Sequence, residues 1–355
     1  MPSDASISRA LGFLIAAGSS GFRDAWEIQA GFRGAPLLIG TVFPLSFIAL
    51  ALARPELNSS VAVELARREV ETIVALGDDT GWRYFNLFPQ IPPDADDLAH
   101  VIHVLTLTDW EDRDTILAGP LAMLDSNFHP DGSCNTWLVT DALAAENARL
   151  SWAGGDDLCH PEVLANLLDA LATYDPERYA AQLEKGARWL IQRRSPEGWA
   201  GYWYWGWGYG TFQVVRALRK VTDLLPHLAP ETRPAIQAAL ASMIERQALE
   251  GSWAPLRAPV EQAPDEAMRA AAQETAFCIE ALAAGRDWTP PEGQLALQRA
   301  AAWLVTQQAN DGGWAAEPLY FTLGRSAYQS REVATAIILG ALLTARMTIQ
   351  AASRV

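Results

Sequence analysis

Apolar residues recur with a helical period along most of the chain. In segments 63–76, 161–174, 211–225, 273–285 and 331–345 they fall at positions i, i+3, i+4 and i+7, the pattern of a helix with one buried face. No segment alternates apolar and polar residues over the length of a strand. The pattern therefore predicts an all-α protein.

A glycine turn separates these helical stretches six times. The six glycines are Gly21, Gly81, Gly132, Gly198, Gly251 and Gly312. The steps between them are about 50–65 residues, which is the length of two helices with their loops. Six helix pairs can close on themselves so that no terminal repeat exposes an apolar face. We therefore expect residues 1–355 to form one domain, an (α/α)6 barrel (toroid) whose inner helices enclose a cavity.

The last three repeats carry a fuller signature, in which a helix, a glutamine and a short polar turn precede Gly-Trp. The glutamines are Gln192, Gln247 and either Gln307 or Gln308, and the tryptophans are Trp199, Trp253 and Trp314. A glutamine at a helix end can bond the free backbone groups there, and the indole can pack over the next turn. We expect these three tryptophans to hold the repeats together.

Charge and cysteine content narrow the class of partner. The formal net charge is −15, and no basic stripe is present to neutralise phosphates, which argues against a nucleic-acid partner. Three widely spaced cysteines fit reduced thiols in a cytosol. The N-terminus lacks the basic and apolar regions of a signal peptide. We expect a cytoplasmic protein with no obligatory protein partner.

One long apolar segment bears on membranes. Residues 34–53 contain no charged side chain and nearly reach the length of a spanning helix, but Pro44 lies in the middle. Gly34, Pro36 and Gly40 would interrupt the first turns. We interpret the segment as a buried core helix. The alternative is a peripheral membrane contact through which a lipid enters.

An acidic tetrad is the first candidate for chemistry. Pro92 and Pro93 end an extended approach, Asp94 is a natural N-cap, and the helical period begins at Ala95. Asp94, Asp96 and Asp97 then share the first turn of a helix that would line the barrel. Three carboxylates so close cannot all ionise, so at least one pKa should rise, while the helix N-terminus favours the anion left after proton loss. This suits a general acid that protonates a weak base, although an acidic helix start or a cation site has the same sequence.

The tetrad and the repeats together resemble class II terpene cyclases of the squalene–hopene cyclase type. That family has Gln/Trp repeats, αα-barrels and an Asp-x-Asp-Asp motif preceded by a Trp-x-aromatic segment, here Trp82-Arg83-Tyr84 before residues 94–97. The resemblance implies that Asp96 donates the proton, with Asp94 and Asp97 in support. The chain departs from the family at Leu98, where Thr is usual, and so lacks one hydrogen bond.

Two further stretches extend the resemblance. Residues 162–171 resemble the family helix whose His or Asn bonds the acid, and the matching residue is Asn166. Residues 201–211 resemble the Trp-Gly and Tyr-Gly-Thr segment. This implies that Trp203 faces the cavity and that Tyr209 sits behind the acid, where water reprotonates it.

Aromatic residues are expected to form the substrate pocket. Residues 318–330 resemble the aromatic closing segment of the family, and the candidate pocket residues are Tyr84, Phe88, Trp203, Trp207, Tyr320, Phe321 and Tyr328. A carbocation would be quenched by water or a basic side chain. A ring face instead stabilises it by about 1–2 kcal/mol without acting as a nucleophile. The count of 14 tryptophans, five of them between Trp189 and Trp207, fits such a pocket.

The resemblance implies a protonation-initiated terpene cyclase that converts a linear isoprenoid into a polycyclic product. One barrel is shorter than the two-barrel triterpene cyclases, so a C15–C20 chain is expected. Small single-barrel members similar to merosterolic acid synthase take prenylated aromatic (meroterpenoid) substrates. The net negative charge argues against a diphosphate head group. No organic cofactor or metal is expected, except Mg²⁺ if the substrate is a diphosphate.

Two alternatives stay open. The first is a zinc-dependent prenyltransferase β-subunit, because Asp157, Cys159 and the distant His227 offer zinc-type ligands. The Arg and Lys cluster that grips a diphosphate is missing, and such enzymes need a partner subunit. The second is a non-catalytic toroid that binds lipid. The sequence has no Asp-Asp-x-x-Asp motif, which argues against class I terpene cyclase chemistry. We interpret His100 and His103 as core or rim residues.

Overall fold

Twelve α-helices account for most of the residues that the structure describes. A computed structural model describes residues 4–30, 37–86, 88, 91–140, 159–255, 271–321 and 327–352. The helices are α1 Asp4–Gly18, α2 Val42–Leu52, α3 Ser60–Ala75, α4 Ala95–Leu107, α5 Arg113–Asp125, α6 Pro161–Tyr174, α7 Ala180–Gln192, α8 Gly208–Leu224, α9 Ala229–Glu245, α10 Ala272–Gly285, α11 Glu292–Thr306 and α12 Arg331–Ala352. Each of the five segments with a helical period falls on one of these helices.

The even-numbered helices form a closed inner ring. Each packs against the next even-numbered helix, and α12 returns to pack against α2. The odd-numbered helices lie outside, so the chain alternates between the two layers. The predicted (α/α)6 toroid of six helix pairs is confirmed.

Burial follows the two layers. Inner helix α6 buries eleven consecutive residues, Glu162–Ala172, because it is surrounded by two ring neighbours, an outer helix and the interior of the ring. Outer helix α7 buries only Leu183, Gly186, Ala187, Trp189 and Leu190, one face at helical spacing. This inner helix is therefore buried on all its faces over most of its length, whereas the outer helix keeps an exposed face.

All six turn glycines have positive φ. The values are 74° for Gly21, 125° for Gly81, 95° for Gly132, 123° for Gly198, 106° for Gly251 and 93° for Gly312. At three of them the turn also presses on the backbone of an outer helix: an added Cβ would meet Lys185 at Gly132, Arg299 at Gly251 and Arg9 at Gly312. Only glycine satisfies both constraints without strain.

The repeat tryptophans bond backwards to the helix before the turn. Nε1 donates to the carbonyl of Leu190 from Trp199 (2.7 Å), of Met243 from Trp253 (2.8 Å) and of Leu304 from Trp314 (2.9 Å). Trp82 bonds Ile73 in the same way at 2.7 Å. These buried indoles satisfy carbonyls at helix ends, as expected for packing within the repeats.

The glutamines follow the expectation in two of three repeats. Nε2 of Gln247 donates to Gly251 O (2.9 Å) and Ala296 O (2.7 Å), and Gln308 bonds Gly312 O (2.8 Å). Each lies four residues before its glycine. In the repeat of Gly198 that position is Arg194, so the interpretation of Gln192 as the equivalent glutamine was wrong.

Two short β-ribbons correct the prediction that the chain has no strands. Strands β1 (Glu27–Ala30) and β2 (Leu37–Gly40) pair antiparallel, with Ile28 opposite Ile39. Strands β3 (Tyr320–Phe321) and β4 (Ala327–Tyr328) form the second ribbon. Strands of two to four residues are too short to show an alternating pattern, and pairing with a neighbour holds them in place.

The apolar segment 34–53 is only partly helical. Residues 34–36 lie outside the described residues, Leu37–Gly40 form β2, and the predicted buried helix begins at Val42. In the part of the chain that the structure describes, α12 alone has the length and composition of a membrane span. Of its most apolar 18-residue stretch, 67% is buried inside the protein.

Candidate active site

A cavity lies at the end of the barrel where the inner helices begin. The empty space between its walls is about 530 Å³, a figure that includes space open to solvent. The described residues that line it are Phe43, Tyr84, Asp94, Asp96, Asp97, Thr136, Trp137, Val163, Trp203, Tyr204, Tyr320 and Phe321. Seven of these twelve are aromatic, and the acids among them all belong to the tetrad. The interior is therefore a ring-lined chamber with one acidic corner.

The acidic corner is built on the first turn of α4. Asp94 is the N-cap, and its Oδ1 accepts a hydrogen bond of 2.7 Å from Asp97 N. Backbone hydrogen bonds from Asp94 N to Trp82 O (3.1 Å) and from Ala95 N to Thr136 O (2.8 Å) hold the segment that leads into α4 on both sides. Asp96, at the second position of the helix, therefore points to the cavity from a rigid support.

Asp96 is held by two donors. Asn166 Nδ2 donates to Oδ1 at 2.8 Å, and the Tyr204 hydroxyl donates to Oδ2 at 3.4 Å. Burial raises the pKa of Asp96 well above its usual value, and the nearby Asp94 and Glu162 carboxyls raise it further. The two donors oppose this rise because they stabilise the anion. The surroundings thus favour the protonated form of Asp96, and its conjugate base has hydrogen-bond donors in place.

The neighbouring carboxyls are protonated more readily than free aspartates. Burial raises the pKa of Asp94 to about 6, against the hydrogen bonds that it accepts from the first turn. Burial also raises the pKa of Asp97, and the charges of Asp94 and Asp96 add to the effect. The three groups therefore cannot all be ionised at neutral pH, as the spacing of the tetrad predicts.

Tyr209 lies behind the acid but does not bond it. Its ring stacks on that of Tyr204 with centroids 3.5 Å apart, and its hydroxyl accepts a hydrogen bond of 2.7 Å from Gln213 Nε2. His100 Nε2 lies 3.4 Å from the same hydroxyl. Burial holds the pKa of His100 well below its usual value, so this histidine is neutral. It is a core residue, as the sequence indicates.

Glu162 holds the loop that brings two rings to the cavity. Its Oε1 accepts hydrogen bonds from Tyr202 N (2.6 Å) and Trp203 N (3.0 Å). Trp203 lines the cavity, and its Nε1 donates to His160 Nδ1 at 3.2 Å. The loop continues into Tyr204, so the carboxyl on α6 positions both a wall ring and a partner of the acid.

Four of the seven predicted pocket residues line the cavity: Tyr84, Trp203, Tyr320 and Phe321. The other three lie elsewhere. Phe88 packs with Leu38, Phe85 and Ile91 in a small separate cluster. Trp207 lies under the Arg246 guanidinium, 3.8 Å from its ring centroid, and Tyr328 stacks behind Tyr320 at 4.6 Å.

Sequence reasoning missed Phe43, Trp137 and Tyr204. Tyr204 lies between Trp203 and Trp205 in the aromatic segment, so its position could have been found there. Phe43 was hidden because its segment was interpreted only as apolar core. Trp137 marks the third repeat, where the turn glycine is followed by serine instead of an aromatic residue.

The zinc alternative finds no support in the placement of its ligands. Asp157 lies outside the described residues. Cys159 precedes the start of inner helix α6, whereas His227 follows the end of inner helix α8 and pairs with Glu184 at 3.3 Å. The hydrogen bonds and ion pairs between α4, α6 and α8 join residues at similar positions along each helix, so these three helices run in the same direction. Cys159 and His227 therefore lie at opposite ends of the ring. Within the described ranges no three His, Cys, Asp or Glu residues group as metal ligands do.

The chain matches one family model. The model of the squalene-hopene cyclase C-terminal domain covers residues 76–329, more than half of the chain. No curated protein matches the sequence.

Solved structures share the fold at low identity. A protein from Actinoplanes is 20% identical with a TM-score of 0.71, and the match covers 96% of this chain and 99% of that chain. A variant of the type II terpene cyclase MstE from Scytonema, in complex with geranylgeranyl dihydroxybenzoate (substrate), is 19% identical with a TM-score of 0.70 and 97% of both chains covered. The ent-copalyl diphosphate synthase from Streptomyces platensis is 19% identical with a TM-score of 0.61, over 86% of this chain and 50% of that chain. These likenesses establish the toroid.

Proposed function

Because the chain belongs to the squalene–hopene cyclase family, we propose that it is a class II terpene cyclase whose general acid is Asp96. The observation that carries the proposal is a carboxyl on the wall of a ring-lined cavity, where burial and nearby carboxyls raise its pKa well above the usual value. A general acid for an alkene must keep its proton at rest and must also have a stabilised anion. Asp96 meets both conditions.

The reaction starts with proton transfer from Asp96 to the terminal alkene or epoxide of a linear isoprenoid. The O–H bond breaks, the alkene electron pair forms the new C–H bond, and a cation is left on the adjacent carbon. Asn166 and Tyr204 stabilise the carboxylate that remains. The helix N-terminus at α4 acts in the same direction. Asp94 and Asp97 disfavour the ionised form of Asp96 and so keep its proton in place until the substrate arrives, whereas Asn166, Tyr204 and the helix N-terminus favour its release.

Ring closure follows inside the aromatic walls. Phe43, Trp137, Trp203 and Phe321 present ring surfaces to the cavity. Each stabilises a passing cation by about 1–2 kcal/mol when water is excluded, and none adds to it. The walls also hold the chain folded so that each alkene lies next to the cation before it. Loss of a proton or capture of water ends the sequence.

We infer a linear C15–C20 isoprenoid or a prenylated aromatic as substrate. A single ring of helices with one aromatic-lined cavity supports a chain shorter than that of the two-barrel triterpene cyclases. The shared toroid of MstE, solved with geranylgeranyl dihydroxybenzoate, makes a prenylated dihydroxybenzoate the first probe to use. No organic cofactor enters this scheme.

The test is to incubate the purified protein with geranylgeranyl dihydroxybenzoate, farnesyl diphosphate and geranylgeranyl diphosphate and to analyse products by mass. Cyclic isomers of unchanged mass, or of mass plus water, support the proposal. Released diphosphate with a linear product contradicts it. Binding without conversion by both the native protein and Asp96→Asn would favour the lipid-binding toroid instead.

A further inference from the structure

A second buried carboxyl lies behind the cavity wall, away from the tetrad. Glu27, on strand β1, is 6% exposed. Its Oε2 accepts a hydrogen bond from the Tyr84 hydroxyl and its Oε1 accepts one from Gln29 Nε2. Neither partner carries a positive charge. A buried carboxyl without a cation is costly, so its position calls for an explanation.

Tyr84 connects this carboxyl to the cavity. It is one of three tyrosines on the described wall, and their hydroxyls have different partners. Tyr204 donates to the acid Asp96, and Tyr320 has no hydrogen-bond partner among the described residues. Among these three tyrosines of the described wall, Tyr84 is the one whose hydroxyl donates to a carboxyl outside the tetrad. A proton that reaches the Tyr84 oxygen therefore has an acceptor directly behind it.

The pair is also separated from the acid along the wall. The Tyr204 ring beside Asp96 is 6.1 Å from Tyr320, and Tyr320 is 5.8 Å from Tyr84 on its other side. In a cascade of ring closures the cation moves away from the carbon that was first protonated. A base that ends the cascade must lie at a distance from the acid, and it must not touch the first cation. Tyr84 fits this arrangement, because the ring contacts connect it to the Tyr204 beside Asp96 through Tyr320.

We propose that Tyr84, backed by Glu27, removes the proton that ends the cyclisation, an inference that rests on the function proposed above. The C–H bond next to the final cationic carbon breaks, and its electron pair becomes a C=C bond. The proton passes to the Tyr84 oxygen as the hydroxyl proton of Tyr84 passes to the Glu27 carboxylate. Glu27 loses this proton to water after the product leaves. Tyr84 touches the substrate, and Glu27 acts through it.

The charge of Glu27 is suited to this role. Burial raises the pKa of Glu27 to about 7, against the hydrogen bond from Gln29. Among the described residues, the titratable groups that interact with it are the hydroxyls of Tyr84, Tyr320 and Tyr328. Burial raises the pKa values of Tyr320 and Tyr328 far from neutrality, so these two stay protonated. Glu27 is then the group of this set that changes charge near neutral pH.

The experiment compares product ratios in Glu27→Gln and Tyr84→Phe with the native protein, using the probes named above. The matched controls are Glu69→Gln and Tyr179→Phe, which remove a buried carboxyl and a buried hydroxyl in the outer layer. We expect the ratio of the native alkene product to hydrated or isomeric products to fall about tenfold or more in both test variants, since a positioned base contributes about 10²–10⁴-fold. Total substrate consumption should change far less. The controls should keep the native ratio.

A ratio that stays native in both test variants overturns the inference, even if their activity is lower, because a structural role slows turnover without redirecting it. A native protein that forms no cyclic product overturns the proposed function, and the inference with it. If the variants do not fold, the native protein supplies the second readout. The alkene fraction should fall as the pH drops below about 7, where Glu27 is protonated, and a flat ratio from about pH 5.5 to 8 contradicts the inference.

Discussion

Two aspartates inside the same ring have opposite properties. Asp96 lies at the start of α4 among other carboxyls, and burial raises its pKa. Asp169 lies deeper on α6 and is more fully buried, yet its pKa is lowered to about 2: the positive charges of Arg216 and Lys220 and the neighbouring His103 outweigh the effect of burial. Arg216 Nε lies 2.9 Å from its carboxylate and Lys220 Nζ lies 2.7 Å from it.

The difference shows that burial alone does not decide whether an acid keeps its proton. The partners decide, and the ring places the cations at the end away from the cavity. One contact joins the two regions: Arg216 donates to Asn166 Oδ1 at 3.3 Å, and Asn166 donates to Asp96. The ionised end thereby orients the amide that stabilises the anion at the protonated end.

The largest expected effect separates the two aspartates. Asp96→Asn should lower product formation by about 10³-fold, because a general acid contributes about 10²–10⁴-fold. Asp169→Asn should leave activity within about tenfold of native and should instead lower the free energy of unfolding, because it strips a buried ion cluster of its anion. Product assays and chemical denaturation of both variants check this. Equal activity losses would remove the distinction between the two ends.

Asn166→Leu tests the contact between the two regions. We expect a loss of about 10²-fold, the lower end of the cost of removing one donor to a developing anion. Because the amide lowers the pKa of Asp96, its loss should shift the alkaline limb of the rate profile to higher pH. Asn166→His, which keeps a donor, should recover part of the rate. A profile that does not move would show that the amide has no electrostatic role.

Stability should fall as the pH rises from 6.5 to 8.5. Burial raises the pKa of Glu27 and of Glu162 to about 7 and that of Glu274 to about 8, so the native state holds protons that the unfolded chain has lost. Acids with a raised native pKa lose stability as the pH rises through that value, here by roughly 1–3 kcal/mol. The opposite contribution of the buried histidines acts below pH 6.5. Thermal unfolding across this window measures the effect, and an upward trend would contradict it.

Tyr204→Phe should have the smallest effect. Its bond to Asp96 is long, 3.4 Å, and a neutral hydrogen bond is worth about 0.5–1.5 kcal/mol, or about 2–10-fold in rate. The ring remains, so stacking on Tyr209 is kept. Single-turnover kinetics would resolve the change. A loss as large as that of Asp96→Asn would mean that the hydroxyl itself delivers the proton.

The sequence predicted the repeated and the local features well. The helical period and one glycine turn recur in each of the six repeats. The N-cap and the spacing of the tetrad follow from a few adjacent residues. The pocket was harder. Whether Trp203 or Trp207 faces the cavity depends on one turn before α8, and Glu27 reaches Tyr84 only through the pairing of two short strands. Such placements depend on contacts between distant segments, which no local pattern records.

The closure of the ring has a consequence for how the molecule can be rebuilt. Helix α1 packs against α12, Asp4 pairs with Arg346 at 2.8 Å, and Gln308 Nε2 donates to Ser6 O at 2.9 Å. The first helix thus serves as the outer partner of the last one. An open solenoid could be shortened by a repeat, but here a missing unit would leave a gap. A circular permutant that joins α12 to α1 and opens between α6 and α7 would keep the same neighbours throughout.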